Sequence, residues 1–324
     1  MVWSVSTAKM FERCQRQWFF KTKLANARAK DWERQRAYRL SKLQSVSAWR
    51  GNVVDQALSR EVIPALERGW PISADRVIHS ALARFDRQLQ IARAHRIMDP
   101  EVKPSDFGDD LAAFHCLEYG GIVDENEILR ARDEVVTALR TFFGMEDLIA
   151  RLRAADRLIT QRALSFAHSD TTVRAVPDVI AFFASAPPSI IDWKVHAFGW
   201  RDAWLQLVVY ATALTRCKPH RDFPIATDSY EVTDVELLEV QLLTGTIRQH
   251  ALEARQIAEA DAYIARTTEA MDLAVGVVNG KAAALEPKTF PATLYPGVCG
   301  RCPYRSLCWE TEKLWISKPT SFRC

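Results

Sequence analysis

Three cysteines, Cys299, Cys302 and Cys308, crowd into ten positions of the segment GVCGRCPYRSLC. Thiolates spaced this closely suit one metal centre, and such a centre takes four ligands. A second loaded stretch is VPDVIAFFASAPPSIIDWKV, residues 176–195. Asp192 and Lys194 lie two apart, so on a strand they face the same side. If the two apolar runs pair as a hairpin, Asp178 approaches Asp192. Neighbouring carboxylates raise each other's cost of ionisation. A divalent cation such as Mg²⁺ or Mn²⁺ offsets that cost, and hard-oxygen sites of this type are often shared with phosphate. Lys194 beside such a site can orient water and offset charge developing on phosphate. The competing reading is a solvated Asp192–Lys194 pair. The apolar neighbours in SIIDWKV weigh against it, since a buried charged pair needs a reason.

The chain that carries these groups has 324 residues, 48% hydrophobic and 26% charged, with a net charge of +3. That balance fits a soluble globular protein with an ample core. The charge is uneven: residues 1–50 hold 12 Lys and Arg against three acidic residues. A basic opening segment suits a polyanion or a solvated helix face. The first residues, MVWSVSTAKM, lack the apolar core of a signal peptide, and no run of about 18 apolar residues predicts a membrane span. Seven unevenly spaced cysteines do not form a secreted disulfide framework. A reducing cytoplasm is the expected location.

The elements that would position these groups follow from periodicity. Residues 6–24 and 48–68 have helical patterns, the second with Val54, Leu58, Val62 and Leu66 on one stripe. Residues 73–157 are mostly helical, interrupted at 98–110. Strands are expected at 158–168, 171–183, 189–195 and 235–243, a buried helix at 199–214, and a long helix from Thr246 to Ala274. This order predicts an α/β sheet with an antiparallel meander and a crossover helix.

PDV followed, after an apolar hairpin, by IIDWK resembles the signature of the PD-(D/E)XK nucleases. The RecB-like branch of that superfamily adds Gln-x-x-x-Tyr on the next helix. Here QLVVY supplies Gln206 and Tyr210, one turn apart on a single helical face. The opening SVSTAKMFERCQRQWFFKTKL and the terminal CGRCPYRSLC are similar to the ends of the iron–sulfur members of that branch. These include CRISPR-associated RecB-like exonucleases, the AddB nuclease domain and the nuclease domain of the eukaryotic replication helicase–nuclease.

The resemblance implies a restriction-endonuclease-like core, in the order helix, three-strand meander, helix, strand. It also implies a single domain over 1–324. Within it lie a basic helical segment at 1–47, a helical insertion at 60–157, a catalytic core at 158–245 and a C-terminal helix with the cysteines at 246–324. Cys14 becomes the fourth thiolate beside Cys299, Cys302 and Cys308, holding a [4Fe–4S] cluster; by ligand count zinc is equally suited. Asp178 and Asp192 become metal ligands, together with the Trp193 carbonyl. Lys194, Gln206 and Tyr210 become catalytic or substrate-supporting residues. The branch carries Gly-x-x-x-His on its first core helix. This chain has Gly51-Asn-Val-Val-Asp55, so Asp55 takes the histidine's place as a ligand.

The implied activity is phosphodiester hydrolysis on single-stranded DNA or DNA ends, in repair, recombination or CRISPR- or phage-related processing. A helicase or a CRISPR or repair protein is the implied partner. The alternative is a non-catalytic DNA-binding subunit of such an assembly. Arg301, Arg305, Trp18, Trp193, Trp200 and Trp204 are candidate contacts for a nucleic-acid strand. Cys116 and Cys217 are expected as small core residues.

Overall fold

The computed structural model describes residues 1–195, 203–224, 229–278, 281–282, 285–293 and 295–312. Its principal strands are β1 (Val2–Trp3), β2 (Leu43–Gln44), β3 (Ala113–Phe114), β4 (Arg157–Thr160), β5 (Leu164–His168), β6 (Thr171–Ala175), β7 (Val179–Phe183), β8 (Ala186–Lys194), β9 (Glu236–Gln241) and β10 (Thr246–His250). The chain packs as two compact units. The first comprises Met1–Val5, Arg50–Leu82 and Asp133–Glu269; the second comprises Ser6–Trp49, Ala83–Arg132 and Ala270–Cys324.

The first unit is built on a five-stranded sheet in the order β10-β9-β8-β7-β4. β8 and β9 run parallel, and the other neighbours are antiparallel. Parallel neighbours need a crossover. Helix Ala203–Arg216 supplies it and is buried along nearly its whole length. It packs on β8 and β9 and also on β5 and β6 of a second, three-stranded sheet, β1-β6-β5. β8 is buried on both faces, as its unbroken apolar run requires. Burying Ile190 and Ile191, at 0% and 1% exposure, contributes about 1.5–3 kcal/mol each. That gain offsets part of the cost of holding Asp192 between them and Trp193.

Two expected strands each divide. The 158–168 run breaks at Gln161, whose φ of 50° is left-handed, so β4 joins the five-stranded sheet and β5 the other. The 171–183 run breaks ahead of Asp178, at Pro177, which has no N–H to give a ladder. β6 and β7 therefore also part company. The meander of the core sheet consequently runs β4-β7-β8, with the β5–β6 hairpin set apart in its own sheet. The helix expected from Thr246 begins only at Ala254. Gly245, at φ 71°, turns the chain, and Thr246–His250 returns as an exposed edge strand beside β9. Thr246 and Ile247 are β-branched, which favours that outcome.

In the second unit the helix expected over 6–24 is interrupted. Val5–Arg13 and Gln15–Phe19 are separate helices, followed by a wide turn at Phe20–Leu24. Cys14 sits at the break with extended backbone, and its sulfur accepts from the Gln17 N–H. Short strands β2 and β3 pair in parallel. The core of this unit is aromatic: Trp49 lies 4.1 Å from Phe85, and Phe19 stacks on Phe290 at 4.5 Å. Among the described residues no helix is long and apolar enough to cross a membrane.

Candidate functional site

Strand register assembles a row of polar groups across one face of the first unit's sheet. In the antiparallel β7–β8 pair, Val179 opposes Ile191, which places Asp178, one residue ahead, opposite Asp192. Thr160 opposes Val179, so Gln161 flanks Asp178 on the other side. In the parallel β8–β9 pair, Asp192 opposes Glu239 and Lys194 opposes Gln241. Across β9–β10, Glu239 opposes Arg248. The row therefore runs Gln161, Asp178, Asp192, Glu239, Arg248. Residues opposed across strands have Cβ atoms roughly 5 Å apart and share a face.

The side chains in this row are tightly tied. Gln161 Nε2 donates to Asp178 Oδ1 at 3.0 Å and to Asp55 Oδ1 at 2.8 Å. Its backbone N–H donates to the Asp178 carbonyl. A non-glycine residue in the left-handed region costs energy, and such strain gathers at functional sites. The Trp193 N–H donates to Asp178 Oδ2 at 2.8 Å. Asp192, 2% exposed, pairs with the Lys194 ammonium and accepts from Gln206 Nε2 at 3.3 Å. Gln206 also donates to the Tyr210 hydroxyl. Asp55 lies on helix Val46–Ala57, whose Arg50 donates to the Val195 carbonyl at the end of β8 and pairs with Glu134.

Burial, then the neighbouring charges of Asp192 and Asp55, push the Asp178 carboxyl well above the usual carboxylate range. Burial likewise raises Asp55, opposed by its Gln161 hydrogen bond. Tyr210 is driven upward by burial and by Asp192, so its hydroxyl keeps its proton. Three carboxyls thus lie in one buried region, where burial disfavours ionisation of Asp178 and Asp55, with the Lys194 ammonium paired to Asp192 and Arg60 acting on Asp55. A divalent cation fits this donor set. Among the described residues no three His, Cys, Asp or Glu side chains already stand at metal-coordinating spacing; here the carboxylates are turned to their amide and ammonium partners.

The structure gathers these residues into two hydrogen-bonded groups, Asp55 and Asp178 joined through Gln161, and Lys194, Asp192, Gln206 and Tyr210, set side by side by the register that places Asp178 opposite Asp192. Trp193 joins the first group through its N–H; its ring is 7% exposed and packs edge-on against Phe142. Sequence reasoning missed Gln161 and Glu239. Glu239 is 1% exposed and accepts from Gln241, with His250 Nε2 at 3.0 Å and Arg248 nearby. The one available signal was parity: Glu239 and Gln241 alternate along β9 as Asp192 and Lys194 do along β8.

In the second unit, Cys14, Cys299, Cys302 and Cys308 line one pocket, and none is in a disulfide. Arg16, 4% exposed, donates to Cys308 Sγ at 3.7 Å and to the Phe290 carbonyl at 2.9 Å. Burial, reinforced by the other three thiols, pushes Cys302 up to about 12. Cys299 and Cys308 are also raised by burial, Cys308 less so for its contact with Arg16. Four thiols lining one pocket beside a buried guanidinium suit a thiolate-bound metal by donor type, although they do not stand at coordinating spacing; nothing in this donor set separates iron–sulfur from zinc. His115 and Tyr119 hold the turn after Cys302 by contacts to the Cys302 and Pro303 carbonyls.

Several candidate nucleic-acid contacts are core instead. Trp18 is 2% exposed, packed between Phe11 and Phe290, and Trp193 is buried as described. Arg305 is 4% exposed and lies 4.0 Å over the Tyr119 ring, so it belongs to the packing of the thiol pocket. Arg301 is exposed and Trp204 half-buried. Cys217 is buried with a free thiol, in line with a small core residue, whereas Cys116, also buried, is disulfide-bonded. Trp200 lies outside the described residues.

A family model described as the PD-(D/E)XK nuclease superfamily matches residues 2–309. No curated protein matches the chain. Among solved structures, one titled "Crystal structure of SSO0001" aligns at 11% identity over 72% of this chain and 97% of its own, with a TM-score of 0.27, a likeness that carries no argument.

Proposed function

Because the chain belongs to the PD-(D/E)XK nuclease superfamily, whose members are generally nucleases, we propose that it is a Mg²⁺- or Mn²⁺-dependent deoxyribonuclease of the RecB-like branch acting on single strands or ends. The observation that carries this reading is the cross-strand placement of Asp178 opposite Asp192, with Lys194 paired to Asp192 in a region where burial raises the cost of ionising Asp178. Asp178, Asp192 and Asp55 would hold the cation, with the Trp193 carbonyl as a further oxygen. When bound, the cation supplies Lewis-acid polarisation of a phosphoryl oxygen and a more acidic water. Lys194 orients that water for in-line attack at phosphorus and offsets charge on the phosphate; the P–O bond to the leaving oxygen breaks as the new one forms. Gln206 fixes Asp192, and Tyr210, held neutral, steadies Gln206. The basic segment 1–50 supports a polyanionic substrate.

The thiol pocket is assigned to a structural [4Fe–4S] cluster held by Cys14, Cys299, Cys302 and Cys308, a choice over zinc that the motif spacing shared with the branch supports. Arg16 would offset thiolate charge there.

The decisive experiment incubates the pure protein with single- and double-stranded DNA plus Mn²⁺. Products that vanish with EDTA and with Lys194→Ala are expected. DNA bound but left intact under every metal condition would instead make the chain a binding subunit. A brown preparation containing iron and sulfide supports the cluster; a colourless one with stoichiometric zinc removes it.

A further inference from the structure

The second unit contains a cleft of about 410 Å³ between helix Trp32–Leu40 with the residues after it and the turn at Lys103–Leu111. Such a volume is in the usual range of ligand sites. Arg39, Lys42 and Lys103 line it together with Tyr38, and no carboxylate does. Arg39 fixes the wall, donating to the carbonyls of Ile97 at 3.2 Å and Asp99 at 2.8 Å. Gly108, at φ 52°, permits the turn that brings Lys103 to the opposite side. Lys42 and Lys103 are exposed, and among the described residues neither pairs with a carboxylate. Lys42 lies 4.7 Å over the Tyr38 ring, and Arg39 lies 5.6 Å over Trp32, itself 48% exposed.

The field around this cleft is positive enough to act on its neighbours. Lys21 is held below the ordinary lysine range by burial and then by repulsion from Lys42 and Arg13. Three cations lining one cleft with no carboxylate among the lining residues, and with aromatic rings beside them, are suited to an anion carrying several charges. A free nucleotide would call for buried donors closing on one phosphate, whereas here the cations are dispersed and open to solvent. Dispersed cations match the successive phosphates of a strand.

We propose that this cleft is a phosphodiester-binding site for a single-stranded nucleic acid, with Lys42 and Lys103 as its principal contacts. The proposal deepens the nuclease reading, on which it rests for its substrate class.

Its test is the affinity of a fluorescein-labelled 20-mer of deoxythymidine, read by anisotropy over a range of salt with no Mg²⁺ or Mn²⁺ added. Lys42→Gln/Lys103→Gln should raise Kd roughly tenfold and flatten the salt slope by about 1.4, since each single-strand phosphate contact contributes about 0.7. Arg255→Gln, at an exposed helix position of the first unit, should change neither. Both lysines are exposed, so the melting temperature of the double variant should match the parent and report an intact fold. Unchanged affinity and slope in the double variant would overturn the proposal. Thymidine monophosphate binding as tightly as the 20-mer, with the same lysine dependence, would also overturn it in favour of a free nucleotide. Lysine-dependent strand binding without metal-dependent cleavage would sink the nuclease reading and leave the cleft standing; cleavage with no lysine dependence would do the reverse.

Discussion

The carboxylate row of the first unit and the thiol pocket of the second solve one electrostatic problem with different architecture. Each gathers acidic groups where water is scarce, and burial suppresses their ionisation in both. Each has a cation against a group in the cluster: Lys194 at Asp192, Arg16 at Cys308. Asp178 and Asp192 are set opposite each other by the register of the sheet, and Asp55 is brought to them by helix Val46–Ala57. The thiols come from a helix break at Cys14 and, nearly 300 residues later, from two short helices, Pro296–Gly300 and Arg305–Glu312, and the turn between them, tied by a few side-chain contacts. A site built on a ladder can lose its metal and keep its shape, whereas one that joins distant segments draws more of its stability from the metal.

That contrast is most directly broken by mutation. Under the proposed mechanism, Lys194→Ala should lower the cleavage rate by about 10³-fold, the scale for removing a preorganised charge, while leaving the melting temperature nearly unchanged. A large fall in stability would show that the carboxylate site is as structurally dependent as the thiol pocket. Cys302→Ser should do the opposite, releasing the bound metal and destabilising the second unit by several kcal/mol. Metal analysis and melting temperature read both. Full stability and metal content in Cys302→Ser would remove the distinction.

Two smaller effects sharpen the comparison within the first unit. Gln161→Ala frees Asp55 and Asp178 from their shared amide, and Mn²⁺ affinity should fall about 10-fold, the lower end for a group that orients metal ligands. Titration calorimetry checks this, and unchanged affinity would make Gln161 merely structural. The pH dependence follows from Asp178 and Asp55, whose folded pKa values are raised. Between the unfolded carboxylate range and those raised values the folded state binds more protons than the unfolded state. Metal-free stability should therefore fall as pH rises through that window. Asp178→Asn should flatten the dependence, and saturating Mg²⁺ should reduce it. A metal-free melting temperature that rises across the same window would contradict the assigned direction.

Much of the site was legible because its spacings are short. Asp192 and Lys194 share a face by strand parity, and Gln206 and Tyr210 share one by helical turn; both relations are fixed by backbone geometry alone. Partners set by register between strands were not legible. Gln161 seemed to lie mid-strand until its left-handed backbone split the run, and nothing local to Glu239 announces Asp192 beside it. Trp18 and Arg305 have types common at nucleic-acid surfaces, yet packing against Phe290 and Tyr119 removed them from solvent. Thr246–His250 carries a helix-compatible pattern that the turn at Gly245 and the open edge of β9 overrode.

By itself the sequence determined which groups are available: two carboxyls and an ammonium on apolar strands, three thiols at metal-binding spacing, to which the family resemblance adds Asp55 and Cys14, and an excess of positive charge in residues 1–50. It also fixed the alternation and helical spacing that orient them locally. Only the tertiary structure decided which of these groups meet, because β-sheet register and loop closure are long-range choices made by burial of the whole core. The same burial raised the cost of ionisation at both clusters, turning a list of acidic residues into two sites suited to a cation.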